Sequence, residues 1–155
     1  MAAVKPIPDG YPRVSAYLSV QGAAAAIDFY RDVLGATERV RMPGPNNTIA
    51  HAELEFGDSL VMLSDESPDF GNLSPKTVGG TPVGISLYVD DVDAIHAKAI
   101  AAGATEERAP EDQFYGDRTA SFLDPFGHRW HIATHVEDVP PEEMEKRMAA
   151  MMQGG

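Results

Sequence analysis

Two stretches specify the architecture. The first is Ala16-Tyr17-Leu18-Ser19-Val20, followed by a helical pattern from Gly22 through Tyr30 to Leu34 and closed by Gly35-Ala36-Thr37-Glu38. The second is Ile85-Ser86-Leu87-Tyr88-Val89, followed by a helical pattern from Asp91 through His96 to Ala102 and closed by Gly103-Ala104-Thr105-Glu106. The same order of strand, helix and Gly-Ala-Thr-Glu recurs at an offset of about 68 residues, the signature of a duplicated supersecondary unit. In Ser15–Val20 the apolar Ala16, Leu18 and Val20 alternate with Ser15, Tyr17 and Ser19. In Val83–Val89 the apolar Val83, Ile85, Leu87 and Val89 alternate with Gly84, Ser86 and Tyr88. Period-two alternation gives each strand one apolar and one semi-polar face. The helical stripes Ala23, Ala26, Ile27, Tyr30, Leu34 and Val92, Ile95, Ala99, Ile100 supply what the apolar faces pack against. Asp90 or Asp91 is the expected N-cap of the second helix. Gly35 and Gly103 sit where a helix ends in a left-handed residue.

Beyond these stretches, each helix is followed by strand candidates. In the first module these are about 38–42, 48–56 and 59–64, with Phe56-Gly57-Asp58 as a tight turn and Gly44-Pro45-Asn46-Asn47 as a hairpin turn. In the second they are about 106–109, 118–123 and 129–135, with Asp124-Pro125-Phe126-Gly127 as the turn. The expected organisation is a single domain over 1–155. It comprises module one (about 11–64), a Ser/Pro/Gly-rich linker (65–81), module two (about 82–135) and a C-terminal helix (about 140–152). The helix opens at Pro140-Pro141 and carries Met144, Met148, Met151 and Met152 on one face, suited to docking on the body or on a partner subunit.

A hydrophobic fraction of 43% is that of a globular chain. Twelve basic against 24 acidic residues give a formal charge of −12, which argues against nucleic acid as a partner and suits a cationic ligand. The longest apolar run, 97–102 around one lysine, is far short of a membrane span. Residues 1–13 lack the apolar core of a signal peptide. With no cysteine there is neither a disulfide framework nor a thiolate site, and a cytoplasmic location is expected.

Several motifs resemble the vicinal oxygen chelate superfamily, the glyoxalase/bleomycin-resistance/extradiol-dioxygenase group. They are Ala24-Ala25-Ala26-Ile27-Asp28-Phe29-Tyr30 with Leu34-Gly35-Ala36, Val89-Asp90-Asp91-Val92-Asp93 with Ala101-Ala102-Gly103-Ala104, and Asp124-Pro125-Phe126-Gly127-His128. Glu111-Asp112-Gln113-Phe114-Tyr115-Gly116-Asp117-Arg118 and Trp130-His131-Ile132-Ala133-Thr134-His135 are similar to its PhnB-like branch. The resemblance covers about 11–145. It implies an α+β fold in which two βαβββ modules form a curled eight-stranded mixed sheet, as two four-stranded halves around a cleft, in a homodimer.

The superfamily's enzymes hold a divalent metal through four slots, one on the first and one on the last strand of each module. By the resemblance these slots fall on Ser15, Gly84, His131 and either Val61 or Met62. Only His131 is a competent ligand, whereas such an ion requires three or four histidine or carboxylate ligands at about 2.0 to 2.3 Å. No cofactor is therefore expected.

Three polar residues, His51, Glu53 and Glu55, alternate with Ala52, Leu54 and Phe56 and so share one strand face. That face is either simply solvated or pairs Glu53 with His131 as acid and base; His51, Glu53 and His131 as an atypical metal site is a further alternative. Phe114, Tyr115, Asp117 and Arg118 lie in a loop before a strand, where they either bind a ligand or fix the loop through an Asp117–Arg118 pair. Trp130 alternates with His131 and is expected in the core. The leading expectation is a metal-independent small-molecule-binding protein. Its candidate ligand-binding residues are Ser15, Tyr17, His51, Tyr88, Phe114, Tyr115, Arg118 and His131, with Glu53 and His131 as catalytic candidates. A metal-dependent lyase, isomerase or dioxygenase, and an accessory protein with a vestigial cleft, are the alternatives.

Overall fold

A computed structural model describes residues 3–154; Met1, Ala2 and Gly155, the ends of the expected 1–155 domain, lie outside the described residues. The chain divides into two compact units, 1–80 and 81–155.

In the first unit β1 (Ala16–Val20) leads into α1 (Ala23–Asp32), then β2 (Thr37–Pro43), β3 (Ile49–Phe56) and β4 (Ser59–Asp65). The sheet order is β1-β4-β3-β2, with β1 parallel to β4 and the other pairs antiparallel. Register puts Leu18 opposite Leu63 and Leu63 opposite Ala52, while Ala16, Val61 and Leu54 form the next row. Those rows form the face against which α1 packs, and Ala23, Ala26, Ile27, Phe29 and Tyr30 are the helix's buried residues. The first turn of α1 has no side-chain cap of its own. Asp65, at the far end of β4, accepts hydrogen bonds from the amides of Gly22 and Ala23 through Oδ1 and from Ile49 through Oδ2. One carboxylate thus ties helix start, β3 and β4 together.

In the second unit β5 (Gly84–Tyr88), α3 (Val92–Ala101), β6 (Thr105–Asp112), β7 (Asp117–Leu123) and β8 (Arg129–His135) repeat the plan, in the order β5-β8-β7-β6. The helix-facing rows are Ile85–Trp130–Phe122 and Leu87–Ile132–Ala120. Trp130 is 1% exposed, and its indole N–H donates to the buried Asp124, whose other oxygen accepts from the amides of Phe126 and His128. The expected Asp-Pro-Phe-Gly turn is thereby built around its first residue. Of the two candidate caps for α3 it is Asp91 that serves, accepting from the amide of Ala94. The expected stripe on α3 requires one correction: His96, not Ile100, turns inward, with its ring nitrogen 3.1 Å from Glu106 of β6. Gly35 and Gly103 adopt the left-handed conformation that helix termination requires, at φ 75° and 102°.

The stretch read as a linker is partly ordered by local bonds. It contains a 3₁₀ turn (Pro68–Phe70) and the one-turn helix α2 (Pro75–Val78), capped by Ser74. Asn72 reaches back to hydrogen-bond Ser19 and Ser64. At the C-terminus α4 (Pro141–Gly154) runs two residues past the expected end. It buries no residue fully within the chain; Met148, Met151 and Met152 are exposed, and Arg147 anchors it to Glu137 and to the carbonyl of Phe114.

Candidate functional site

In the second unit the sheet face turned away from α3 is polar, row by row. Ser86 lies opposite His131, His131 opposite Ser121, and Ser121 opposite Arg108. The next row is Tyr88, Ala133 and Thr119, and the last pairs Asp117 with His135. These rows, His135 excepted, floor a cavity of about 350 Å³, within the range of small-molecule sites, with Tyr115 and Gln113 on its wall. Strand parity alone explains the composition: a period-two pattern that turns Ile85, Leu87, Trp130 and Ile132 toward the helix side must present Ser86, Tyr88 and His131 on the other.

Asp117 organises one end of this cavity. It is 6% exposed, and both of its oxygens are engaged. The Tyr88 hydroxyl donates to Oδ2 at 2.7 Å, and His135 Nδ1 donates to Oδ1 at 2.7 Å. His135 Nε2 lies 2.7 Å from Asp138. Burial works to raise the Asp117 carboxyl, but the hydrogen bonds from Tyr88 and His135 and the His135 charge outweigh it and hold the group below the usual carboxylate range. The same contacts hold the His135 imidazole and the Tyr88 hydroxyl above their ordinary values, because each donates to the Asp117 carboxylate. A doubly protonated His135 satisfies both of its carboxylates at once.

Near the opposite side of the floor, His131 is exposed, and its ring fills the space a side chain at Gly84 would occupy. A Cβ built on Gly84 would lie 2.5 Å from His131 Nε2. Glu107, held below its ordinary value chiefly by its bond to Arg129, also feels the His131 charge.

The strand registers locate the four slots of the resemblance. Tyr17 pairs with Met62 as Ser86 pairs with His131, so Met62 rather than Val61 is the counterpart of His131. The donor set is then a serine hydroxyl, a glycine, a thioether and one imidazole. The Ser15 hydroxyl is buried and without a partner among the described residues, yet it is a neutral oxygen. Among the described residues no three His, Asp or Glu side chains form a group able to hold a metal. The residues at these slots do not fit the superfamily's divalent ion.

Of the residues singled out from sequence, Tyr88, Tyr115 and His131 meet at the cavity. Phe114 does not line it; its ring packs edge-on against Tyr115 at 5.3 Å. Arg118 is also elsewhere. It binds Asp93 of α3 bidentately and Asp112 of β6, and the anticipated Asp117–Arg118 pair does not form because neighbours on a strand point to opposite faces. Ser15, Tyr17, His51 and Glu53 belong to the first unit. There the Tyr17 hydroxyl bonds His51 Nδ1 at 2.9 Å and His51 Nε2 bonds Glu53 at 2.9 Å, on the sheet face away from α1. The expectation of a merely solvated strand face is corrected by this network: Glu53 is 5% exposed and also accepts from Tyr11. Sequence reading missed Asp117 as the cavity's organiser and omitted Arg108, Thr119 and Ser121. The alternation Asp117, Thr119, Ser121 on one strand was the signal available.

A polar-floored cavity on one βαβββ unit, with a second such unit in the same chain, defines the class. Residues 13–132 match the model of the Glyoxalase/Bleomycin resistance protein/Dioxygenase superfamily, and the chain belongs to that family. It is 42% identical over 146 residues to the uncharacterised protein Mb0911c of Mycobacterium bovis, covering 92% of this chain and 96% of the relative. Among solved structures it is similar to TioX from Micromonospora sp. ML1, with a TM-score of 0.63 at 26% identity over 81% of this chain and all of the other. A PhnB protein from Bacillus cereus shares the fold, with a TM-score of 0.62 at 13% identity over 79% of this chain and 99% of that one. Among the described residues no helix is long and apolar enough to cross a membrane.

Proposed function

We propose that this chain is a small-molecule-binding protein of the glyoxalase/bleomycin-resistance type, sequestering a ligand in the second unit's cavity without a metal. The observation that carries the reading is the cavity's composition: a buried, ionised Asp117 and the rings of Tyr88 and Tyr115 at one end, with a hydroxyl-rich floor reaching His131. Each Asp117 oxygen retains a lone pair beyond its existing bond, and aromatic faces attract cations by about 0.5 to 2 kcal/mol each. A ligand with a protonated or quaternary nitrogen is the class these groups recognise. The acidic balance of the chain, formally −12, raises the local concentration of such a ligand. Sequestration requires shape and placed polar groups only, which accords with a donor set unsuited to the family metal. The reading includes a cytoplasmic homodimer, with the exposed methionines of α4 available for contact.

The test is a thermal-shift and calorimetric screen of bleomycin, aromatic amines and quaternary ammonium compounds. A hit should stabilise saturably, by about 2.7 kcal/mol at a hundred times its Kd. Tyr115→Ala and His131→Ala should each weaken binding by roughly tenfold, which corresponds to removing about 1.4 kcal/mol of interaction with the ligand. No saturable hit, or unchanged affinity in both variants, would refute the proposal.

A further inference from the structure

The polar network of the first unit is ordered as a nucleophile, a base and an orienting carboxylate. Glu53 is buried on β3 and surrounded by donors: the Tyr11 hydroxyl at 2.9 Å, His51 Nε2 at 2.9 Å and the Arg39 guanidinium at 3.6 Å. Arg39 is itself held by the Gly10 carbonyl and stacks over the Tyr11 ring, 4.3 Å from its centroid. So surrounded, Glu53 stays ionised; the His51 hydrogen bond is the chief influence holding it below the ordinary glutamate range. An ionised carboxylate only accepts, so the proton of a neutral His51 sits on Nε2. His51 Nδ1 is then a lone pair, and its partner at 2.9 Å is the hydroxyl of Tyr17 on β1. Tyr17 is half exposed, and its hydroxyl proton is already directed at a base.

We propose that Tyr17, His51 and Glu53 form a nucleophilic triad, with the Tyr17 oxygen as the group that attacks an activated acyl compound. The pattern is the general one for an activated nucleophile: a nucleophile in hydrogen-bond reach of a base that a third group orients. In the step, a bond forms between Tyr17 Oη and the acyl carbon, and the phenolic proton passes to His51 Nδ1. The imidazolium is stabilised by Glu53, and the leaving group departs with the electron pair of its bond to the acyl carbon, taking the proton back from His51. Water then cleaves the tyrosyl ester by the reverse use of the same base. This site lies wholly within the first unit and stands independently of ligand binding in the second.

The chain carries its own control. Tyr88 is more exposed than Tyr17, at 67% against 50%, but its hydroxyl donates to the Asp117 carboxylate. That bond disfavours phenolate, whereas an imidazole can accept the proton outright. Accessibility alone therefore predicts that Tyr88 reacts first, and the triad predicts the reverse.

The experiment is acetylation of the full chain with p-nitrophenyl acetate, following nitrophenolate release and locating the acetyl group by peptide mass spectrometry. Tyr17 should be acetylated several-fold faster than Tyr88. His51→Gln and Glu53→Gln should slow Tyr17 by at least about tenfold, the low end of what a positioned base contributes, and leave the Tyr88 rate unchanged. A far-ultraviolet circular dichroism spectrum and a Tm close to those of the unaltered chain show that a variant is folded. Tyr88 reacting as fast as Tyr17, or a Tyr17 rate indifferent to both substitutions, would overturn the proposal.

Discussion

Replacing Asp117 by asparagine removes one charge from a buried position while keeping its shape. Wild-type Asp117 accepts two charge-assisted bonds of 2.7 Å, from Tyr88 and His135. The amide oxygen of asparagine can retain one. The amide NH₂ must then face the other donor, which turns away or meets water. Charge-assisted bonds contribute roughly 1.5 to 3 kcal/mol each, but His135 is half exposed and Tyr88 more so, which places the loss at the low end. A destabilisation of about 1.5 kcal/mol follows, or roughly 3 to 6 °C in Tm for a chain of this size.

The pH dependence is the sharper part. Asp117 is depressed in the folded chain, so its stabilisation is complete above the ordinary aspartate value near 3.9 and is lost as pH falls through the folded value. His135 is raised, so its stabilisation is complete below the ordinary histidine value near 6.5 and is lost as pH rises through the folded value. The deficit of Asp117→Asn should therefore peak between roughly pH 4.5 and 6.5 and shrink in both directions. Urea unfolding of both proteins at acid, mildly acid and alkaline pH measures it directly. A deficit that is larger at pH 9 than at pH 5.5, or absent at both, would refute the assignment of Asp117 as the shared acceptor.

Two further outcomes are expected. Gly116 has φ 101°, and a Cβ there would fall 2.1 Å from the Glu137 carbonyl, while its own carbonyl accepts from the amides of Val136 and Glu137. Gly116→Ala should cost about 2 to 3 kcal/mol by thermal denaturation and release residues 136–139, read as faster amide exchange there; slow exchange in the variant would contradict this. For the metal, elemental mass spectrometry of untagged protein should find only traces of zinc, nickel, manganese and iron, with no change in Tm on adding a chelator. A stoichiometric ion removed by chelation together with stability would contradict the donor-set argument.

Much of the architecture was legible in the chain because it depends on local rules. Period-two alternation in Ser15–Val20 and Val83–Val89 and the repeated Gly-Ala-Thr-Glu ending specify the two modules without reference to distant contacts. The inward placement of Trp130 follows from the same parity. Locality also explains the errors. On α3 His96 is buried and Ile100 exposed because of how the helix lies on its sheet, and a helical stripe alone does not reveal that. The Asp117–Arg118 pair looked natural as a dipeptide, but the strand sends the two side chains to opposite faces and gives each partners 6 to 29 residues away.

Residue identity along the chain was enough to specify the family and the modular order, since both depend on patterns within single strands, helices and turns. Which polar residues act together became visible only in the assembled sheets. Tyr17 meets His51 across 34 positions and Tyr88 meets Asp117 across 29, pairings set by sheet register and by the side on which each strand buries its apolar set. Whether a carboxylate such as Glu53 or Asp117 is a surface charge or a buried, hydrogen-bonded anion depends on donors brought to it from elsewhere in the fold. Desolvation is a property of the assembled sheet and not of any segment of the chain.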